Sequence, residues 1–422
     1  MNYGCIGEHL PHSFSKIIHE KIENYDYILK ELTPDEITPF MQNKAFSGIN
    51  VTIPYKQTVI PFLDEIDEMA KAIGAVNTIV NRGGKLYGYN TDFAGLSALI
   101  SRIGLSLPNK KVLIIGTGGT AKTAQAVAKA GGARAILQLS RSPKENSISY
   151  REAYEKHADA EIVINTSPCG MFPKLDSFPS DENQKPFNFD AFPSLEGAVD
   201  VVYNPLRTRF ILEAQKRGLR AEGGLYMLVA QAVFAAGHFT GKDYPKNLID
   251  EIFSEIVTQK ENVVLIGMPG CGKTTVSAVL AEKLTRNTID SDDAIIQKIK
   301  IPIADYFAQN SEAAFREIES EVIHTLAGET QIVIATGGGA ILRDQNIDAL
   351  RQNGRLYFLD RPLEDLLPTA SRPLASSAEA IRQRYAERHE RYRAVADVTI
   401  QNFASPEETA NEIAEKHLKT IQ

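Results

Sequence analysis

The sequence predicts an α/β protein of three lobes in two functional units, built on largely parallel sheets. Three observations carry that expectation. Short apolar runs alternate with amphipathic stretches along the whole chain, the pattern of strands alternating with helices. At KKVLIIGTGGTAKTAQAVAKAGG an apolar run passes through a glycine turn into a helix-like segment. At NVVLIGMPGCGKTT the same pattern restarts with a different glycine spacing, which implies a different ligand geometry rather than an internal repeat.

The first 95 or so residues read as strands at YGCIG, YDYIL, GINVTIP and TIVNRGGKLYGYN, with helix-like HSFSKIIHEKI, PDEITPFMQN and DEMAKAIG between them. Helical FAGLSALISRIG leads into the first glycine loop, and further strands are expected at AILQLS, EIVINTS and AVDVVYN. The Pro- and Asn-rich stretch from Phe172 to Pro193 reads as a long surface loop. Helix-like GLYMLVAQAVFAAGHF closes this half. The polar run HFTGKDYPKNLID, followed by helical EIFSEIVTQKEN, marks the candidate boundary, after which strands recur at QIVIATGGG, RLYFLD and DVTI. The expected lobes are 1–95, 96–258 and 262–422.

A chain of 422 residues exceeds one ordinary core. A formal charge of −7 argues against nucleic acid as a partner, because phosphate-backbone binding normally needs a basic surface. Small anionic substrates remain open, since local arginines and helix N-termini hold phosphate on acidic proteins. The cysteines, Cys5, Cys169 and Cys271, are far apart and have no metal-ligand spacing, which suggests a reducing compartment. Neither a signal peptide nor a membrane span is expected, so the predicted location is the cytoplasm, as a monomer or homodimer.

Gly267-Met-Pro-Gly270-Cys271-Gly272-Lys273-Thr274 fits the phosphate-loop pattern G-x-x-x-x-G-K-[ST] directly after a strand, and Thr275 continues it. Backbone N–H groups of such a loop surround phosphate oxygens, the lysine reaches the outer phosphates and the threonine hydroxyl meets Mg²⁺. The second unit is therefore expected to bind ATP with Mg²⁺. In the first unit, Gly116-Thr117-Gly118-Gly119-Thr120 opens a helix after strand KVLII, which favours a Rossmann lobe with dinucleotide pyrophosphate at the helix N-terminus. The next strand ends in Ser140-Arg141-Ser142 rather than in an acid. An arginine there accommodates a 2′-phosphate, so NADP(H) is preferred over NAD.

The rest of the second unit, from about Asn262 onward, carries in order Asp290-Ser291-Asp292, Phe315-Arg316-Glu317-Ile318-Glu319, Gly337-Gly338-Gly339, Arg372-Pro373-Leu374, and Arg388 with Tyr392. In these motifs and their order it resembles the shikimate kinase family. It implies a nucleoside-monophosphate-kinase-like fold that phosphorylates shikimate. It assigns Asp292 to the attacking hydroxyl, Arg316, Arg388 and the glycine run to the acceptor, Arg372 to the transferred phosphoryl, and Asp290 with Thr274 to the metal. Two departures stand out: Pro368 and Thr369 occupy the region where the family usually has an adenine-stacking arginine, and the segment from Arg372 to Arg388 is short. They predict weaker ATP binding and looser discrimination among purine nucleotides.

The first unit carries Ser13-Phe14-Ser15, Gly48 to Lys56, Gly74 to Thr78, Asn90-Thr91-Asp92, Asn165-Thr166-Ser167 with Gly170-Met171, Asp200 with Tyr203-Asn204-Pro205, and Gly224, Met227, Leu228 and Gln231, and in these it resembles the shikimate dehydrogenase family. The resemblance implies reduction of 3-dehydroshikimate to shikimate. It makes Lys56 and Asp92 the catalytic pair, and Ser13, Ser15, Thr52, Asn77, Tyr203 and Gln231 further substrate contacts. Thr166, Gly224 and Met227 join the glycine loop at the cofactor. Lys16 stands where the family commonly has proline, and Phe239 where it commonly has tryptophan. Together the two resemblances imply one chain catalysing two consecutive steps of chorismate biosynthesis. Two other readings stay open: a regulatory sensor built from enzyme-like lobes, and use of quinate as well as shikimate.

Overall fold

The computed structural model describes residues 2–10, 14–144, 146–366, 378–402 and 405–419. The chain divides into two compact units, Met1–Ile256 and Val257–Gln422. The division falls inside the helix Asn247–Lys260, which begins within the polar run and not after it.

The first unit holds two sheets. One contains β1 (Tyr3–Gly7), β2 (Tyr27–Glu31), β3 (Gly48–Val51), β4 (Glu65–Ile66), β5 (Thr78–Arg82) and β6 (Lys85–Tyr89), in the order β2-β1-β3-β5-β6-β4. It is mixed: β1–β2, β1–β3 and β4–β6 run parallel, while β3–β5 and β5–β6 run antiparallel. The single run read from TIVNRGGKLYGYN is in fact the hairpin β5–β6. Its turn is made by Gly83 and Gly84, both at positive φ, with the Asn81 carboxamide oxygen accepting from Gly84 N at 2.9 Å. The two-residue β4 has too little apolar pattern to be seen in the sequence. Helix Pro34–Asn43 is placed by a capping box in which Thr33 and Glu36 satisfy each other's backbone.

The second sheet is wholly parallel, with β7 (Lys111–Ile115), β8 (Ala135–Leu139), β9 (Ile162–Asn165), β10 (Gly197–Asp200) and β11 (Arg220–Glu222) in the order β11-β10-β9-β7-β8. Helix Leu225–Thr240 is apolar on nearly every face because it packs against both helix Thr91–Arg102 and helix Ser15–Ile22. The close crossing is possible because Gly95 has no side chain: a Cβ there would lie 2.6 Å from the Met227 carbonyl oxygen.

The second unit is a parallel sheet of β12 (Asn262–Ile266), β13 (Asn287–Asp290), β14 (Ile332–Ala335), β15 (Gly354–Asp360) and β16 (Val398–Gln401), ordered β13-β14-β12-β15-β16. Its central strand β12 is buried along its whole length, as a parallel strand covered on both faces must be. The phosphate loop leaves the C-terminal end of this strand at the point where the strand order reverses, the usual ligand position of an open parallel sheet. Among the described residues no helix is long and apolar enough to cross a membrane.

Candidate active sites

In the first unit the end of β3 delivers Thr52 and Lys56, and the first turn of helix Thr91–Arg102 delivers Asp92. Asn90 caps that helix by accepting from Phe93 N at 3.3 Å while its amide donates to the Ala75 carbonyl at 2.9 Å, so the turn carrying Asp92 is fixed from both sides. Lys56 Nζ meets Asp92 Oδ2 at 2.6 Å, with both side chains largely shielded from solvent. Asn77, between β3 and β6, accepts from Thr91 N at 2.7 Å and donates to Thr91 Oγ1 at 3.1 Å and Gln231 Oε1 at 3.5 Å. Gln231 in turn donates to the Leu228 carbonyl at 2.9 Å. The result is a row of neutral amides and hydroxyls beside one cation–carboxylate pair.

Ser15 is buried in the first turn of its helix. Tyr203 packs its ring on Phe14 at 5.4 Å, and burial pushes its phenol up to about 12, which keeps it a neutral donor at physiological pH. Cys5, in β1, lies within the field of Lys56 and Asp92. Burial pushes its thiol up to about 12, so it is an inert wall and not a nucleophile. Ser13 lies outside the described residues. Thr91 has no role in the sequence reading, although it stands inside the N-T-D motif. What it does, joining Asn77 to Gln231, depends on a contact across 140 residues of chain.

At the C-terminal end of the interior strand β7, Gly118 caps helix Gly119–Ala130, and beyond Gly118 and Gly119 there is open space where a side chain would stand. Such a cradle fits a dinucleotide pyrophosphate. Thr166 donates to the Ile115 carbonyl at 2.7 Å and so sits directly beside the loop, next to Gly116. Gly224 lies under Val201, and Met227 follows it in the first turn of the closing helix. Ser140 and Ser142 form a turn that holds Arg141 exposed at the end of β8, with no carboxylate in the turn itself.

In the second unit, Gly270 and Gly272 adopt positive φ values of 82° and 94°, a backbone that side-chain-bearing residues resist. Lys273 is buried and donates to the Gly267 and Met268 carbonyls at 2.8 and 3.0 Å, while Thr275 is exposed one residue past Thr274. Thr274 Oγ1 donates to Asp290 Oδ2 at 2.8 Å, and Asp290 Oδ1 accepts from Asp292 N at 2.9 Å. Two hard oxygens thus converge beside the phosphate loop, a donor set suited to Mg²⁺ that completes its shell with phosphate and water. Asn402, unforeseen in the sequence, donates its amide to the Cys271 carbonyl across 131 residues and clamps the loop from β16.

Beyond the end of β14, Asp292 Oδ1 lies against Gly337. Arg316 threads past Gly339 so tightly that any Cβ there would collide with its guanidinium. Arg316 is held by Glu319 at 2.7 Å and Glu312 at 2.9 Å. Arg388 and Tyr392 both donate to the Gly338 carbonyl, at 3.1 and 2.6 Å. Arg372, Pro368 and Thr369 lie outside the described residues.

These two sites define a chain with two enzyme units, an oxidoreductase on a dinucleotide-binding sheet and a kinase on a phosphate loop. Residues 5–79 match the family model "Shikimate dehydrogenase substrate binding domain" and residues 269–422 match "Shikimate kinase". A "Shikimate dehydrogenase (NADP(+))" of Clostridium perfringens is 35% identical over 272 residues, covering 60% of this chain and 97% of the relative. Among solved structures, a chorismate mutase/shikimate 5-dehydrogenase fusion protein from Clostridium acetobutylicum is similar with a TM-score of 0.55 at 32% identity, over 60% of this chain and 96% of that one. Shikimate 5-dehydrogenase of Thermus thermophilus in complex with NADP(H) and shikimate gives a TM-score of 0.52 at 26% identity, over 60% and 99%. The chain belongs to the shikimate dehydrogenase family and carries a shikimate kinase domain at its C-terminal end.

Proposed function

We propose that the chain reduces 3-dehydroshikimate to shikimate with NADPH and then phosphorylates shikimate to shikimate 3-phosphate with ATP and Mg²⁺. One observation carries the reading: the two matched families, on one chain, share shikimate as product and as substrate. In the first unit bound NADPH supplies the hydride. Lys56 donates a hydrogen bond and then a proton to the oxygen that gains charge, and Asp92 holds the ammonium in place at 2.6 Å. Ser13, Ser15, Thr52, Asn77, Tyr203 and Gln231 grip the ring hydroxyls and carboxylate without adding net charge. Gly116, Gly118, Gly119 and Thr120 hold the cofactor pyrophosphate, Thr166, Gly224 and Met227 flank it, and Arg141 with Ser140 and Ser142 selects its 2′-phosphate.

In the second unit the loop from Gly267 to Thr275 holds the nucleotide phosphates, and Thr274 with Asp290 holds Mg²⁺, which neutralises phosphate charge when bound. Asp292 orients the attacking hydroxyl and accepts its proton. Arg316, Arg388 and the glycines 337–339 seat the acceptor, while Lys273 and Arg372 stabilise charge on the transferred phosphoryl. We place the protein in the cytoplasm, acting on small molecules alone. The test is to incubate the purified chain with 3-dehydroshikimate, NADPH, ATP and Mg²⁺, following NADPH loss and shikimate 3-phosphate together. Accumulation of shikimate without its phosphate would remove the kinase half of the reading.

A further inference from the structure

Helix Ala378–Val395 places Arg384 one turn before Arg388. Residues four apart lie on one helix face with Cβ atoms about 5–6 Å apart, so the two guanidiniums are neighbours. Their hydrogen-bond commitments differ. Arg316 gives its two terminal nitrogens to Glu319 and Glu312, and Arg388 gives one to the Gly338 carbonyl. Arg384 Nε is sealed from solvent and has no hydrogen-bond partner among the described residues. A buried cationic N–H without an acceptor is costly, and such groups in native proteins ask for an explanation.

The nearby acids do not supply one. Glu312 feels all three arginines but bonds Arg316 at 2.9 Å, and its side chain is 56% exposed. Glu387, one turn away on the surface, accepts from Gln383 at 3.0 Å. Burial and the charge of Arg388 hold the Arg384 pKa below that of a free guanidinium, yet an arginine remains cationic at neutral pH. Among the three guanidiniums, the Arg384 Nε is the one buried nitrogen with no acceptor among the described residues.

We propose that Arg384 is a third guanidinium of the kinase acceptor site, a specificity-determining residue that binds the acceptor carboxylate together with Arg388. The inference rests on the kinase reading given above. In the full chain, Arg384→Leu should raise the Michaelis constant for shikimate in the phosphorylation assay by about tenfold or more, the size of a lost charge-assisted hydrogen bond. The Michaelis constant for ATP and the turnover number should stay within about twofold to threefold. With the carboxamide of shikimate as acceptor, parent and variant should be alike. Arg384→Lys, which keeps the charge but loses the Nε geometry, should give a smaller rise and serves if the leucine variant fails to fold. An unchanged constant for shikimate in either variant, or a parallel rise for both substrates, overturns the assignment. A parent chain that phosphorylates no shikimate overturns the kinase reading instead, and the assignment with it.

Discussion

Lys56 and Lys273 are both shielded lysines, but their partners set different tasks. Lys56 faces a carboxylate at 2.6 Å, whereas Lys273 faces the Gly267 and Met268 carbonyls and the Cys271 sulfur of its own loop. Lys56→Ala should abolish NADP-dependent oxidation of shikimate and leave ATP-dependent phosphorylation within a few-fold. Lys273→Ala should do the reverse, and steady-state assays of both half-reactions on each variant decide it. Loss of both activities in a folded single variant would sink the two-site account. Arg141 makes a second residue-scale test. It stands exposed after β8 with no acid beside it in the Ser140–Ser142 turn, so NADP should be strongly preferred over NAD. Arg141→Ala should erode that preference by roughly 1.5–3 kcal/mol, measured as the ratio of kcat/KM for the two cofactors. Equal use of both cofactors by the parent would refute the assignment.

Elements show where sequence reading succeeds and where it stops. Helix Pro34–Asn43 was legible residue for residue because its stop and start signals are local: a capping box, a proline in the first turn and a left-handed Lys44 at its end. Both glycine loops were legible for the same reason, since a strand, a turn and a helix follow one another without interruption. The pairing of strands was not. Whether β5 runs with or against β3 is set by the long connection between Val51 and Thr78, and period-2 patterning is silent on direction. Contacts such as Asn402 to Cys271 and Thr91 to Gln231 were equally hidden, because each joins residues more than a hundred positions apart.

The C-terminal helix Pro406–Lys419 yields a prediction of its own. Its His417 is fully buried, with Nδ1 3.1 Å from the Tyr357 hydroxyl and Nε2 3.3 Å from the Thr258 carbonyl, among Glu261, Arg286 and Arg355. Burial lowers its pKa to about 4, against 6.5 for the free side chain. The unfolded chain therefore binds the proton first as pH falls, and stability is lost progressively from about pH 6.5 down to 4. The loss should reach roughly 3 kcal/mol from this one group. Amide exchange in peptides covering Pro406–Lys419 should accelerate over that window in the parent and much less in His417→Gln. Equal acceleration in both would remove His417 as the cause.

For the whole molecule, the informative feature is that the second unit begins before its first strand. Glu261 is fully buried and pairs with Arg355 at 2.9 Å, while Arg286 donates to the carbonyls of Glu261 and Thr258 at 2.7 and 2.6 Å. A fragment starting at Asn262 would leave Arg355 shielded and unpaired, a defect of about 3–5 kcal/mol. A fragment from Val257 keeps these groups. Urea unfolding of the two fragments should show the shorter one far less stable, and equal midpoints would refute this view of the boundary. The contiguity of the first unit bears on synthesis. All eleven of its strands are complete by Glu222 and its last residue is Ile256, so nothing made later is needed to close either sheet. At about 5–20 residues per second, a ribosome needs roughly 10–30 s to make the remaining stretch up to Gln422. In that interval the reductase half has time to fold on the nascent chain, whereas the kinase half must wait for β14 before its central strand has any neighbour and for β15 before it has both.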